Sequence, residues 1–324
     1  MRWVAALLAT ALAATALVAC GGGAEPGAPE RATLVLDFQP NAVHAGIYAA
    51  LQQGYYRDAG VDVDVQQPSS STDAPKLLEA GKAQFAILDI HDLAIARERG
   101  FDLVAVVPIV QRPLASVIAG DPDVVRRPRD LEGRTVGVTG LPSDDAVLDS
   151  VVSADGGDPA KVHRVTIGFN AVAALAAGRV DAATAFWNAE GVTLQRQGVG
   201  TRTFRVDDYG APRYPELVLV TSRATLNDEP DLVHGVVRAT THGYVVAARD
   251  PERALGDLLA EDPSLEEADQ AAELRALDGA AAFRHPGRFD RAVLIRWSRW
   301  EAEHGIVKRP PNPMRTFDGL GVSG

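Results

Sequence analysis

Apolar positions set out a repeating order of elements along the chain. The run Leu34-Val35-Leu36 reads as a strand, and a helical stretch follows over residues 44–58. Residues 61–65 alternate strictly between valine and aspartate, the period-two pattern of a half-buried strand. A helix over 73–80 and a strand over 85–88 complete the first round. Apolar runs at 103–110, 135–138, 162–167 and 182–186 continue it, with glycine, proline and aspartate turn signals between them. Strands interleaved with helices predict an α/β fold. From Pro230 onward the spacing changes to three and four, which predicts helices over 231–248, 251–259, 265–277 and 289–304.

One segment occurs twice. Ala80-Gly81-Lys82-Ala83-Gln84-Phe85-Ala86 is echoed by Ala177-Gly178-Arg179-Val180-Asp181-Ala182-Ala183. Each ends a helix with glycine, launches an apolar strand, and is followed by another helix closing at Gly100 or Gly198. Either two αβα units resemble each other by chance, or the chain folds as two similar lobes. In the second case the strand ends at Asp89 and Trp187 open toward a shared cleft.

Length supports two lobes, because 324 residues exceed what one hydrophobic core usually serves. A chain that is 46% hydrophobic and 23% charged is an ordinary globular one. Its 32 basic against 43 acidic residues give −11, with no basic run along the sequence, so nucleic acid is not an expected partner. Residues 3–18 are apolar and follow Arg2. Leu17-Val18-Ala19-Cys20 then precedes three glycines, which looks like a bacterial lipoprotein signal. It predicts removal of residues 1–19 and acylation of Cys20, with a plain secretory peptide or a single anchor helix as alternatives. Cys20 is the chain's one cysteine, so neither a disulfide within the monomer nor a multi-cysteine metal site competes for it. Residues 20–30 read as a flexible tether, and the expected product is a monomer held outside the cytoplasm by a lipid anchor at the cell membrane.

Several motifs occur in one order. Leu36-Asp37-Phe38-Gln39-Pro40-Asn41-Ala42-Val43-His44-Ala45-Gly46-Ile47-Tyr48 comes first, then Gly54-Tyr55-Tyr56-Arg57-Asp58-Ala59-Gly60-Val61. Later come Gln111-Arg112-Pro113-Leu114, Phe186-Trp187-Asn188-Ala189-Glu190 and Asp208-Tyr209-Gly210-Ala211-Pro212-Arg213-Tyr214-Pro215-Glu216. Together they resemble the solute-binding lipoproteins that feed ABC importers, in the branch that binds the pyrimidine precursor of thiamine. The resemblance implies a two-lobed periplasmic-binding-protein fold of type II. Lobe one would be residues 31–115 plus 218–324 and lobe two 116–217, joined by two crossover strands that hinge around the ligand. It also implies delivery to ABC permease subunits, with no chemistry and no cofactor. Phe38 stands where members often carry tryptophan, and Gln39 where an aromatic is expected. Riboflavin or an alkylsulfonate-type solute is the alternative ligand within this class. From another class comes a pyrimidine-synthase-like enzyme that consumes its own histidine and bound pyridoxal phosphate, and which resembles this chain around His44. Its cysteine-rich segment is missing here, and export sets the chain apart from such intracellular chemistry.

A flat heterocycle needs aromatic faces and a few buried donors and acceptors. Asp37 and Phe38 end the first strand, while Asn41, His44 and Tyr48 open the next helix. Asn41 serves as an N-cap, a ligand contact or both, and His44 contacts either ligand or the facing strand. Asp89 ends the strand of the first echoed unit. Trp187, Asn188 and Glu190 follow the strand of the second, an aromatic, an amide and a carboxylate suited to an aminopyrimidine. Ser70 and Ser143 precede helices, where backbone N–H groups are available to a polar ligand or to capping. Gln111 and Tyr209 belong to the matching motifs. No nucleophile elbow, P-loop or His-Glu-x-x-His sequence occurs, and the seven histidines show no metal-ligand spacing. Lys76, Lys82, Lys161 and Lys308 are the lysines open to Schiff-base chemistry.

Overall fold

The computed structural model describes residues 29–68 and 73–318. The signal segment, Cys20, most of the tether, and Ser70 lie outside the described residues. Among the described residues no helix is long and apolar enough to cross a membrane.

Two five-stranded sheets organise the chain. The first contains β1 (Glu30–Val35), β2 (Val61–Gln66), β3 (Phe85–Asp89), β4 (Leu103–Pro108) and β10 (Leu217–Ser222) in the order β2-β1-β3-β10-β4. The second contains β5 (Ala115–Ala119), β6 (Thr135–Val138), β7 (His163–Thr166), β8 (Ala182–Phe186) and β9 (Arg202–Arg205) in the order β7-β6-β8-β5-β9. In both, the first three strands are parallel and the fourth place is filled by an antiparallel strand. That strand, β10 or β5, is the first its sheet receives after a crossing from the other sheet. Residues 109–114 and 206–216 make the two crossings.

Helices cover the sheets, which explains the strand patterns. Near the first sheet are α1 (Ala45–Gln52), α2 (Tyr55–Asp58), α3 (Asp73–Glu79) and α4 (Ile90–Glu98), and with the second α5 (Pro142–Ala154), α6 (Ala171–Ala176) and α7 (Glu190–Arg196). The C-terminal part supplies α8 (Arg223–Asp228), α9 (Pro230–Arg249), α10 (Pro251–Glu261), α11 (Glu267–Gly279), α12 (Arg291–Glu303) and α13 (Pro313–Thr316). Central β3 is covered on both faces, so its residues are apolar without alternation, whereas edge strand β2 alternates buried valine with exposed aspartate. The echoed segments fall on equivalent places, α3–β3–α4 and α6–β8–α7, with β3 and β8 third in their sheets.

The helix expected over 44–58 is instead a single turn at Ala42–His44, then α1, then α2, because Gly54 takes φ +77° between them. Helix α1 is locked to α9 by close backbone approach. A Cβ on Gly243 would lie 1.9 Å from the Gly46 carbonyl oxygen, and the Tyr244 hydroxyl donates to the Val43 carbonyl at 2.7 Å. That anchorage fixes the turn from which Asn41 and His44 project.

Candidate ligand-binding cleft

A cavity of 130 Å³ opens between the sheets at the C-terminal ends of β1, β3 and β8. Of the residues expected there, Asp37, Phe38, Asn41, Asp89, Ser143, Asn188 and Glu190 line it. Phe38, from the loop after β1, meets Phe169, from the loop after β7, edge to face with centroids 4.8 Å apart and planes at 71°. One ring comes from each side of the cleft, so the two close its mouth.

His44 holds this wall from behind. It is fully buried, and its Nδ1 accepts from the Asn41 backbone N–H at 3.2 Å. Nε2 is then the protonated nitrogen and donates to Asp37 Oδ1 at 2.8 Å. His44 therefore positions Asp37 rather than lining the cavity. Asn41 caps the turn, its Oδ1 accepting from Val43 N–H at 3.0 Å, and also faces the cleft.

Four expected positions fall elsewhere. Tyr48 packs in the core toward the end of α10, where burial and then the charges of Asp262 and Glu261 push its hydroxyl up to about 12. Gln111 faces outward at the hinge, its side-chain amide donating to the carbonyls of His285 and Arg288. Tyr209 sits against Phe204, away from the cavity. Trp187 does not offer its face to the cleft. Its indole N–H donates to the Pro113 carbonyl at 2.9 Å, and the Arg205 guanidinium covers its ring at 3.9 Å. The turn after β8 sends Trp187 into the core and Asn188 into the cavity.

Asn188 is fully buried, and neither its amide oxygen nor its amide nitrogen has a hydrogen-bond partner. Each such buried unpaired polar group costs about 1–3 kcal/mol, and a ligand with a complementary donor and acceptor relieves that cost. Beside it Glu190 accepts from Phe186 N–H at 3.0 Å, and burial raises its carboxyl above the ordinary range. Asp92 and Asp144 were not singled out by sequence. Asp92 lies in the first turn of α4, and burial, reinforced by the Asp89 charge, raises its carboxyl well above normal. Asp144 lies in the first turn of α5 and accepts from Thr139 N–H at 2.7 Å, yet burial still raises it. With Asp37, Asp89 and Glu190, five carboxylates line the cavity, and no Lys, Arg or His does among the described residues.

Asp89 also reaches toward the hinge. Burial and the neighbouring Glu216 charge raise its carboxyl, against the pull of His91. Glu216, fully buried at the end of the crossing into β10, accepts from the backbone N–H groups of Leu114 and Ala115, where the other crossing enters β5. Asp89, His91 and Glu216 have the spacing of a metal trio. His91 has no free lone pair for one, because Nε2 faces the Tyr214 hydroxyl at 2.9 Å and Nδ1 pairs with Glu301. Burial works against its charge, but Glu301, Asp89 and Glu216 outweigh that and lift it to about 10. The trio is an ion-pair cluster that ties the two crossings together.

The lining does not fit pyridoxal phosphate. Among the described residues it offers no amine for a Schiff base and no cation to compensate the phosphate's charge on burial.

Comparison with known proteins agrees with this architecture. Residues 41–254 match the family described as NMT1/THI5 like. The formylaminopyrimidine-binding protein of Halalkalibacterium halodurans is 34% identical over 231 residues, covering 71% of this chain and 70% of that protein. A 4-amino-5-hydroxymethyl-2-methylpyrimidine phosphate synthase of Legionella pneumophila is 25% identical over 238 residues, covering 72% and 75%. The solved alkanesulfonate-binding protein SsuA of Xanthomonas axonopodis pv. citri superposes with a TM-score of 0.70 at 16% identity, covering 91% of this chain and 98% of that one. The fold is the two-lobed periplasmic-binding-protein fold. With well over half of its length matched, this chain belongs to the NMT1/THI5-like family.

Proposed function

We propose that the protein is a lipid-anchored, extracytoplasmic, monomeric solute-binding subunit of an ABC importer. It captures a small amine-bearing heterocycle of the thiamine-pyrimidine kind and passes it, unaltered, to permease subunits. The observation that carries this reading is the unpaired, fully buried Asn188 amide in a cleft lined with carboxylates. An aminopyrimidine sets ring-nitrogen acceptors beside exocyclic amine donors. Asn188 complements both, and Glu190 accepts from an amine. Similarity to a protein named for formylaminopyrimidine binding supports the same class. An alkanesulfonate, by contrast, would find no Lys, Arg or His among the described lining residues to compensate its permanent charge, and burying an unpaired charge is costly. The 130 Å³ cavity also suits one ring better than the three fused rings of riboflavin.

Calorimetry should give saturable binding of formylaminopyrimidine, with an alkanesulfonate and riboflavin both weaker. Asn188→Leu should weaken pyrimidine binding about tenfold to a hundredfold. The same change should raise the unfolding midpoint of the unliganded protein, because an unpaired buried amide is removed. Tighter binding of the sulfonate or the flavin would overturn the reading, and recovery of a chemically altered pyrimidine would replace it with an enzymatic one.

A further inference from the structure

A second cavity, of 960 Å³, lies on the outer side of the hinge. Arg112 and Arg213 from the two crossings, and Arg284, His285, Arg288 and Arg291 from the segment between α11 and α12 and its edge, surround it. We propose that this cavity binds an anionic phosphate group. The inference goes beyond the cleft and does not depend on what the cleft binds.

Five guanidiniums gathered around one concavity are a notable concentration in a chain with 32 basic and 43 acidic residues. Opposing charge is scarce there. Asp207, fully buried beneath, serves both Arg112, at 3.1 Å, and Arg213, at 3.6 Å. Even so, the Arg112 Nε is buried without a hydrogen-bond partner. The other lining carboxylate, Asp290, has its Oδ1 engaged by the N–H groups of Ala292 and Val293 at the start of α12. No carboxylate of the described residues pairs with Arg284, Arg288 or Arg291, all of which are exposed. Uncompensated like charges in a concave site focus a positive potential, and the planar guanidinium fork matches phosphate oxygens two at a time.

The segment carrying three of these arginines is held in shape. The Gln111 backbone N–H donates to the Ala282 carbonyl at 2.7 Å, and its side chain donates to the carbonyls of His285 and Arg288 at 3.1 and 2.9 Å. Ala281 and His285 take φ of +54° and +52°, a region side-chain-bearing residues occupy only where their surroundings hold them. Arg284 and Arg288 are thus presented from a fixed loop toward the arginines of the crossings. A phosphate group bound there draws its contacts from both.

The chemistry could be that of a free phosphate anion or of an anionic lipid headgroup, and titration of the full-length protein separates them. Inorganic pyrophosphate is one probe. Soluble short-chain phosphatidylglycerol, with phosphatidylcholine as the neutral-headgroup control, is the other. We expect saturable binding of one probe that weakens as salt is added. The triple variant Arg284→Gln, Arg288→Gln, Arg291→Gln should lose about tenfold or more in affinity for that probe with its unfolding midpoint retained. The charge-matched triple Arg99→Gln, Arg179→Gln, Arg249→Gln, exposed and not part of the cavity's lining, should bind as the parent does. Binding of pyrophosphate identifies a free anion, and binding of phosphatidylglycerol alone identifies a headgroup. If neither probe binds, or if both triples weaken binding equally, the proposal is overturned.

Discussion

The cleft and the hinge cavity share the same two crossings and are lined by opposite kinds of ionisable group. Ala115, Ser116 and Leu217, at the strand ends of the crossings, line a cavity with five carboxylates. Gln111, Arg112, Arg213 and Pro215, a few residues away in the same segments, line one with five guanidiniums. The difference teaches that the side of the hinge a side chain faces, rather than the protein's net charge, sets which ionisable groups each cavity presents. At the cleft, burial suppresses ionisation of Asp92, Asp144 and Glu190, so their carboxyl groups sit where an amine can share or displace a proton. At the hinge cavity most of the charges are exposed and all are permanent, which suits a hydrated anion.

Trp187 tests the wall between the two. It precedes the cleft residue Asn188 and hydrogen-bonds to the carbonyl of Pro113, the neighbour of Arg112. Trp187→Ala should cost about 3–5 kcal/mol of folding stability, the largest effect we expect. Pyrimidine affinity, measured by calorimetry on the folded fraction, should change much less. Large loss of affinity at unchanged stability would move Trp187 back into the cleft.

The acidic side is sharpened by Glu273 on α11, only 4% exposed, which burial pushes up to about 8. Its folded-state value lies above its unfolded one, so its contribution to stability is full below the ordinary carboxylate value. That contribution is lost as pH rises toward about 8. Glu273→Gln should therefore leave stability near pH 4 little changed and raise it at pH 8 by about 2–4 kcal/mol. Denaturant melts across this range read the effect, and parallel curves for parent and variant would remove Glu273 as its source.

Smallest is the effect of Arg196→Ala. Arg196 on α7 pairs with Asp269 on α11, joining a helix of the second sheet's side to one of the C-terminal part, and both are part-exposed. Such a pair contributes about 0.2–1 kcal/mol, so pyrimidine affinity should fall no more than about fivefold, less at high salt. A larger loss that salt attenuates would mean that closure rests on this ion pair rather than on Phe38 meeting Phe169.

Local pattern carried much of this architecture. Strict alternation located β2, and the glycine-closed echo located α3–β3–α4 and α6–β8–α7. Strands β5 and β10 carry no alternation, because both of their faces are covered, so nothing local marked them as the antiparallel insertions. At the cleft, positions just past a strand end were legible as Asp37, Phe38, Asp89, Asn188 and Glu190. Asp92 and Asp144 resemble the acidic residues found in the first turn of many helices, and only packing shows that they are buried. Trp187 and Asn188 are adjacent, and which of them turns inward depends on the Pro113 carbonyl, 74 residues away. The arginine cavity left no trace in the sequence, since its charges come from three distant segments.

Matching strand order in the two sheets bears on how the protein is made. Every strand of the second sheet lies between residues 115 and 205, one continuous stretch. The first sheet waits for β10 at Leu217–Ser222 before β3 and β4 gain their shared neighbour. A growing or translocating chain can therefore pair all strands of the later lobe while the earlier one still lacks its fourth-place strand. Pairing of β10 with β3 and β4 then becomes the strand pairing of longest sequence separation within the two sheets, the kind that slows folding. The N-terminal half would spend the longer time with unpaired edges, and a cell making this protein would need to shield those edges first.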